Sequence, residues 1–148
     1  MTTITTAGNL TADPELRHTQ SGRAVVRFTI LENRRRRTAD GQGWEDDEPN
    51  RFRIQAWGQL AENIAASVHK GDRVHVSGRV ITDRWTDKDS GETRTAQRVD
   101  ADEVAFSLRW NTVTTTKNDR QAGAQAPADE PAATGWDVVD IPEGDTPF

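Results

Sequence analysis

The 148-residue chain contains no cysteine, which excludes disulfide staples and thiolate metal sites as the source of its fold. Lysine is nearly absent as well, three Lys standing against sixteen Arg. Arginine offers planar stacking and bidentate phosphate contacts that lysine does not; a genome rich in G and C produces the same bias with no function behind it. Histidine is scarce, and His18, His69 and His75 show no metal-ligand spacing. No apolar run approaches the roughly 18–20 residues needed to cross a bilayer. Met1-Thr2-Thr3-Ile4 lacks the basic and apolar regions of a signal peptide. A cytoplasmic protein with no membrane association is expected.

Catalytic signatures are missing too. There is no Gly-rich phosphate loop, no nucleophile elbow, and Ser67 and Ser77 lack recognisable partners. Asp87, Asp89, Ser90 and Glu92 do not follow the twelve-position pattern of a calcium loop. The expectation is a protein that is not an enzyme, with no catalytic residues, metal or cofactor.

Charge is unevenly spread. The net charge of −5 averages a segment of about +1 (residues 1–118, with 18 bases and 17 acids) and a tail of −6, whose last thirty residues hold seven acids and one base. Residues 119–133 are rich in Ala, Gln and Pro and carry no residue able to build a core. The predicted organisation is a folded domain over 1–116, a disordered linker over 117–135 and an acidic tip over 136–148. A tail of this kind is either read by a partner or merely solubilising. Trp136 and Phe148 argue for a reader, because a purely solubilising tail has no use for apolar side chains.

Within the domain the hydrophobic period is mostly two. Ile4 to Ala7 reads as a short strand broken by Gly8-Asn9, and there is room for another around Leu16. In Ala24 to Leu31, Val26, Phe28 and Ile30 fall on one face. Glu32 to Asn50, made of Arg, Gly, acids and Pro, reads as a long exposed loop or extended hairpin. Arg51 to Trp57 alternates again, with Phe52, Ile54 and Ala56 inward and Arg51, Arg53, Gln55 and Trp57 outward. Gln59 to Lys70 is the one convincing helix, with Leu60, Ile64 and Val68 in a stripe and Gly71 as its stop. Arg73 to Ile81 puts Val74, Val76 and Val80 inward and Arg73, His75 and Arg79 outward. Asp87 to Gly91 marks a hairpin tip, and Thr93 to Ala101 and Val104 to Leu108 complete the domain. One helix after the third major strand predicts an all-β fold with one short helix, a five-stranded Greek-key barrel of the OB type, followed by the disordered acidic tail. A β-sandwich is the competing architecture.

The outward residues have a common chemistry. Trp57 lies beside Arg51 and Arg53, Trp85 beside Arg84, and Arg73 and Arg79 continue a basic face. The long loop adds Arg34, Arg35, Arg36, Arg37 and Trp44. Phosphates need cations and unpaired bases need flat faces, so Trp interleaved with Arg points to single-stranded nucleic acid. Each element has a plainer reading. A one-residue error in parity puts Trp57 in the core. The acids from Glu45 to Glu48 sit where they can neutralise the four arginines in cis, and Trp44 can pack on its own loop.

Several motifs in order carry a family resemblance. Gly8-Asn9-Leu10 with Asp13-Pro14-Glu15-Leu16-Arg17, Trp57-Gly58-Gln59-Leu60-Ala61-Glu62-Asn63, Lys70-Gly71-Asp72-Arg73-Val74, Gly78-Arg79-Val80 and Trp85-Thr86-Asp87 resemble bacterial single-stranded-DNA-binding proteins, over about Ile4 to Asn111. The resemblance implies an OB-fold, commonly a homotetramer, that binds single-stranded DNA with little sequence preference in replication, recombination and repair, in the cytoplasm and at the nucleoid. It implies base stacking by Trp57 and Trp85. Two further stacking positions fall near Arg36 and near Asn50 or Arg51, where this chain has no aromatic. Fewer aromatics and more arginine predict binding that weakens steeply with salt.

The ending Asp145-Thr146-Pro147-Phe148 is similar to the acidic Pro-Phe tip by which that family recruits replication and repair proteins. It departs in having Gly144-Asp145-Thr146 where consecutive acids and an Ile are usual. The resemblance implies partner docking through Asp145, Pro147 and Phe148. Two alternatives stay open: an RNA-binding or cold-shock-like OB protein, and a protein-interaction adaptor whose barrel has lost nucleic-acid binding.

Overall fold

The computed structural model describes residues 1–119; the expected tip and most of the expected linker lie outside them. The chain divides into two units, Met1–Val113 and Thr114–Phe148, and the first holds every helix and strand described below. In chain order these are β1 (Thr3–Leu10), β2 (Glu15–His18), β3 (Ala24–Arg37), β4 (Trp44–Trp57), α1 (Gln59–Ser67), β5 (Arg73–Thr86) and β6 (Thr93–Phe106). Among the described residues no helix is long and apolar enough to cross a membrane.

Hydrogen-bonded neighbours follow the order β1-β5-β6-β4-β3-β2, and a further β1–β3 pairing closes five of the six strands into a ring. The β4–β6 pairing is parallel and the others are antiparallel. This is the Greek-key order of an OB-fold. It is not a cleanly closed barrel, because β1 meets β3 at two register pairs and β4 meets β6 at two. The sixth strand, β2, is an exposed four-residue addition paired to β3 outside the ring.

Alternation decides the interior. Val26, Phe28 and Ile30 on β3, Ile54 and Ala56 on β4, and Val74 and Val76 on β5 are buried in one core, each contributing on the order of 1–3 kcal/mol relative to exposure for the larger side chains. Ala61, Ile64 and Val68 bring the helical stripe onto that core, with Leu60 partly buried beside them. The helix ends at Ser67, short of the expected Lys70. Val68 takes an extended conformation (φ −117°, ψ 137°) while its N–H still closes on the Ile64 carbonyl, so its side chain stays in the stripe after the helical backbone has stopped. Gly58 joins β4 to α1 at φ 64°, ψ −140°, a conformation costly for any residue with a Cβ.

Several expected boundaries shift outward. β1 runs through Gly8-Asn9 to Leu10 instead of breaking there. A Cβ on Gly8 would come within 2.5 Å of the Leu31 carbonyl oxygen, so the glycine marks the close approach of β1 to β3. β5 extends past the expected Ile81 through Trp85 to Thr86, which places Trp85 on the strand. The two expected C-terminal strands are one, β6, with an irregular register opposite Ser77 and Gly78. The stretch from Glu32 to Asn50 is the extended hairpin of the two options, with β3 and β4 paired out to Arg37 and Trp44.

Candidate nucleic-acid interface

Four strands present their outer faces side by side around a groove of about 690 Å³. On β4, Trp57, Gln55 and Arg53 line it; β3 contributes Arg27 and Thr29, and β5 and β6 contribute Asp83 and Arg98. Register explains the convergence, because Arg27 pairs with Gln55 and Gln55 with Asp100, and paired residues share a face.

A polar chain crosses the floor. The Arg27 Nε–H donates to the Gln55 side-chain oxygen at 3.0 Å, and the Gln55 amide donates to Asp100 Oδ1 at 3.3 Å. Arg98 lies 3.6 Å from the same oxygen and forms a close ion pair with Asp83. The Arg98 guanidinium, chiefly by hydrogen bonding, holds the Asp83 carboxyl below its usual range, and Asp83 raises Arg98 in return. Gln55 is buried, and its two partners satisfy the amide at both ends, as a buried polar group requires.

Trp57 is half-buried beside this chain, with the Arg23 guanidinium 4.9 Å from its ring centroid. Its outward parity holds. Trp85, 46% exposed, shares a face of β5 with Asp83 two residues earlier and is registered against Arg94 on β6. Arg51 and Arg53 continue the Trp57 side of β4 and are exposed. Neither carries an ion pair or side-chain hydrogen bond among the described residues, and the same is true of Arg73 and Arg84.

The hairpin arm beyond this face is different. Arg34 pairs with Asp47 (3.8 Å), Arg35 with Asp46 (3.2 Å) and Arg36 with Glu45 (2.8 Å), each directly across the β3–β4 ladder. Arg37 sits 5.5 Å from the Trp44 ring. The expected basic loop is thus a two-stranded arm in which three of the four arginines face a carboxylate and Arg37 faces the indole of Trp44. Trp44, 62% exposed, is registered against Arg37, and the register shift between Glu32 and Arg34 puts one extra residue on β4, so Trp44 falls on the side that carries Arg51, Arg53 and Trp57 although its number alternates with theirs.

A sequence profile described as the Single-strand binding protein family matches residues 1–107. The chain belongs to this family. The single-stranded DNA-binding protein of Mycobacterium tuberculosis (strain ATCC 25618 / H37Rv) is 43% identical over 141 residues, covering 92% of this chain and 85% of that one. The protein of the same description from Paenarthrobacter aurescens is 46% identical over 109 residues, covering 74% and 63%. The crystal structure of a small single-stranded DNA-binding protein from Streptomyces coelicolor superposes with a TM-score of 0.60 at 30% identity, over 72% of this chain and 94% of that one. These relatives are binding proteins by name.

Of the residues that the sequence nominates in this family member, the structure gathers Trp57 and Arg53 into the groove and sets Arg51 and Trp85 along its margins. Arg84 alternates to the face opposite Trp85, Arg79 is engaged with Asp102 at 3.4 Å, and neither Arg79 nor Arg73 lines the groove. Asp145, Pro147 and Phe148 lie outside the described residues. Sequence reasoning missed Arg23, Arg27 and Arg98. It also missed Trp110, 73% exposed with Arg109 at 5.0 Å from its ring. Arg109-Trp110 repeats the Arg-aromatic adjacency that singled out Arg84-Trp85, so the signal was present; Arg98 and Asp83, fifteen residues apart, left none. Among the described residues no cluster of His, Cys, Asp or Glu is arranged to hold a metal.

Proposed function

We propose that this chain binds single-stranded DNA, without catalysis and largely without regard to sequence, on the outer face of β4, β5 and β6. The observation that carries the reading is the half-buried Trp57 set in a groove beside Arg53, Arg27 and Arg98. Trp57 and Trp85 offer ring faces for bases; among the described residues Arg51 and Arg53 have no carboxylate to give up before meeting a phosphate. The family of the chain and the names of its relatives support the same ligand. A homotetramer, a role in replication, recombination and repair, and recruitment of partner proteins through Asp145, Pro147 and Phe148 complete the proposal, and these rest on the sequence resemblance.

The test is titration of the full chain with oligo-dT and oligo-U, comparing the natural protein with Trp57→Ala and Trp85→Ala. A base stack contributes about 1–3 kcal/mol, so each substitution is expected to weaken oligo-dT binding by roughly 5- to 150-fold. Undiminished binding in both variants would sink the stacking interface, and tighter binding to oligo-U would favour an RNA ligand. Light scattering on the same samples reads the assembly.

A further inference from the structure

Arg23 stands at the end of the β3–β4 ladder, on the face that carries Trp57. Trp57 is registered against Val25, and Arg23 precedes Val25 by two residues, so the two side chains are diagonal neighbours. The backbone there is fixed. The Arg23 N–H donates to Thr19 Oγ1 at 3.1 Å, its carbonyl accepts from the Thr19 N–H at 2.9 Å, and the Gly58 N–H reaches the Ala24 carbonyl at 2.8 Å. The side chain is not fixed in the same way. Its guanidinium lies 4.9 Å from the Trp57 centroid and makes no ion pair or hydrogen bond among the described residues. Unlike Trp57, Arg23 does not line the groove.

A cation over a ring and a base stacked on that ring compete for the same surface. The first interaction, at an exposed site, shifts an equilibrium only about two- to fivefold; a base stack shifts it roughly 5- to 150-fold. The base wins, and the displaced guanidinium, which has no ion pair among the described residues, is left beside a phosphate backbone. We propose that Arg23 is a displaceable cap on Trp57: it covers the ring in the free protein, yields it to a nucleobase, and then contacts a phosphate. The proposal rests on the reading that Trp57 stacks on bases. It adds a DNA-contacting residue to that surface, with separate roles before and after binding.

The two roles have opposite signs, and salt separates them. Loss of the cap helps the base, whereas loss of the phosphate contact hurts, and only the second depends on ionic strength. The experiment measures oligo-dT affinity of the full chain over a series of NaCl concentrations for the natural protein, Arg23→Ala, Arg23→Lys and Trp57→Ala. Arg23→Ala is expected to lower the slope of log K against log salt by about 0.7, one phosphate on a single strand. It is expected to bind more weakly at low salt and about two- to fivefold more tightly at high salt, so that its line crosses that of the natural protein. Arg23→Lys is expected to keep the natural slope. An unchanged slope in Arg23→Ala, or weaker binding by one constant factor at every salt concentration, overturns the cap and leaves Arg23 a prop for the indole. Undiminished binding by Trp57→Ala sinks the stacking reading itself; weakened Trp57→Ala with an unchanged Arg23→Ala slope sinks the cap alone.

Discussion

Arg98 on β6 reaches across to Asp83 on β5, and this ion pair is one end of a polar chain that runs through Asp100 and Gln55 to Arg27 on β3. Four strands are thereby tied together on the face that the proposed ligand would occupy.

The pair has a pH signature. Asp83 is held below its ordinary value of 3.8 by Arg98, so the folded state binds a proton less readily there than the unfolded chain. Its contribution to stability is fully present above pH 3.8 and is lost as pH falls through the lowered folded value. Thermal melts of the natural protein and Asp83→Asn between pH 6 and pH 2 are expected to differ most at the upper end and to converge at the lower. A gap that widens on acidification would contradict the assignment.

The arginine rungs of the arm predict an unequal salt dependence. Arg34, Arg35 and Arg36 each have a carboxylate directly across the ladder. They must surrender it before neutralising a phosphate, whereas Arg53 pairs with no carboxylate among the described residues. Arg53→Ala is expected to reduce the salt slope of DNA binding by about 0.7, and Arg36→Ala by distinctly less. Equal reductions in the two titrations would mean that the rungs open on binding.

Gly58 provides a test of the scaffold apart from the ligand. No atom lies within 4 Å of where its Cβ would stand, so Gly58→Ala carries a conformational penalty and no clash. Urea unfolding is expected to show a loss of about 1–3 kcal/mol. An unchanged midpoint would show that the strand-to-helix junction accommodates a side chain without strain.

For the tip, deletion of Pro147 and Phe148 is expected to abolish partner pull-down while leaving the oligo-dT affinity of the full chain within about twofold. Unchanged pull-down would refute docking through those residues.

The parts of the fold that alternation fixes were legible in the sequence, and those that charge fixes were not. Val26, Phe28 and Ile30 announce β3 because one face of it is buried. Beyond Leu31 the same strand continues through four arginines with no apolar face to reveal it, since opposed carboxylates hold it there. Gly8 reads locally as a breaker; its role as a close-approach site depends on Leu31, which is distant in sequence. At the site, Trp57 and Arg53 were legible from parity on one strand. Gln55 was read as an outward polar residue, and only the neighbouring strands disclose that it is buried and bonded at both ends. Arg98 and Asp83 come together through the β5–β6 register, which no local pattern encodes.

The two short joints in the ring have a consequence for the width of the groove. β3 with β4 makes one curved half-shell, and β1 with β5 and β6 makes another; long ladders hold each together internally, and two register pairs at each seam join them. The groove straddles the β4–β6 seam, so the distance between its walls is set by the Ile54–Val99 and Gln55–Asp100 pairs and by the side-chain bridge from Gln55 to Asp100. A bulky guest wedged between the walls would push against that stitching and not against either hairpin, which makes one amide side chain the clasp of the cleft.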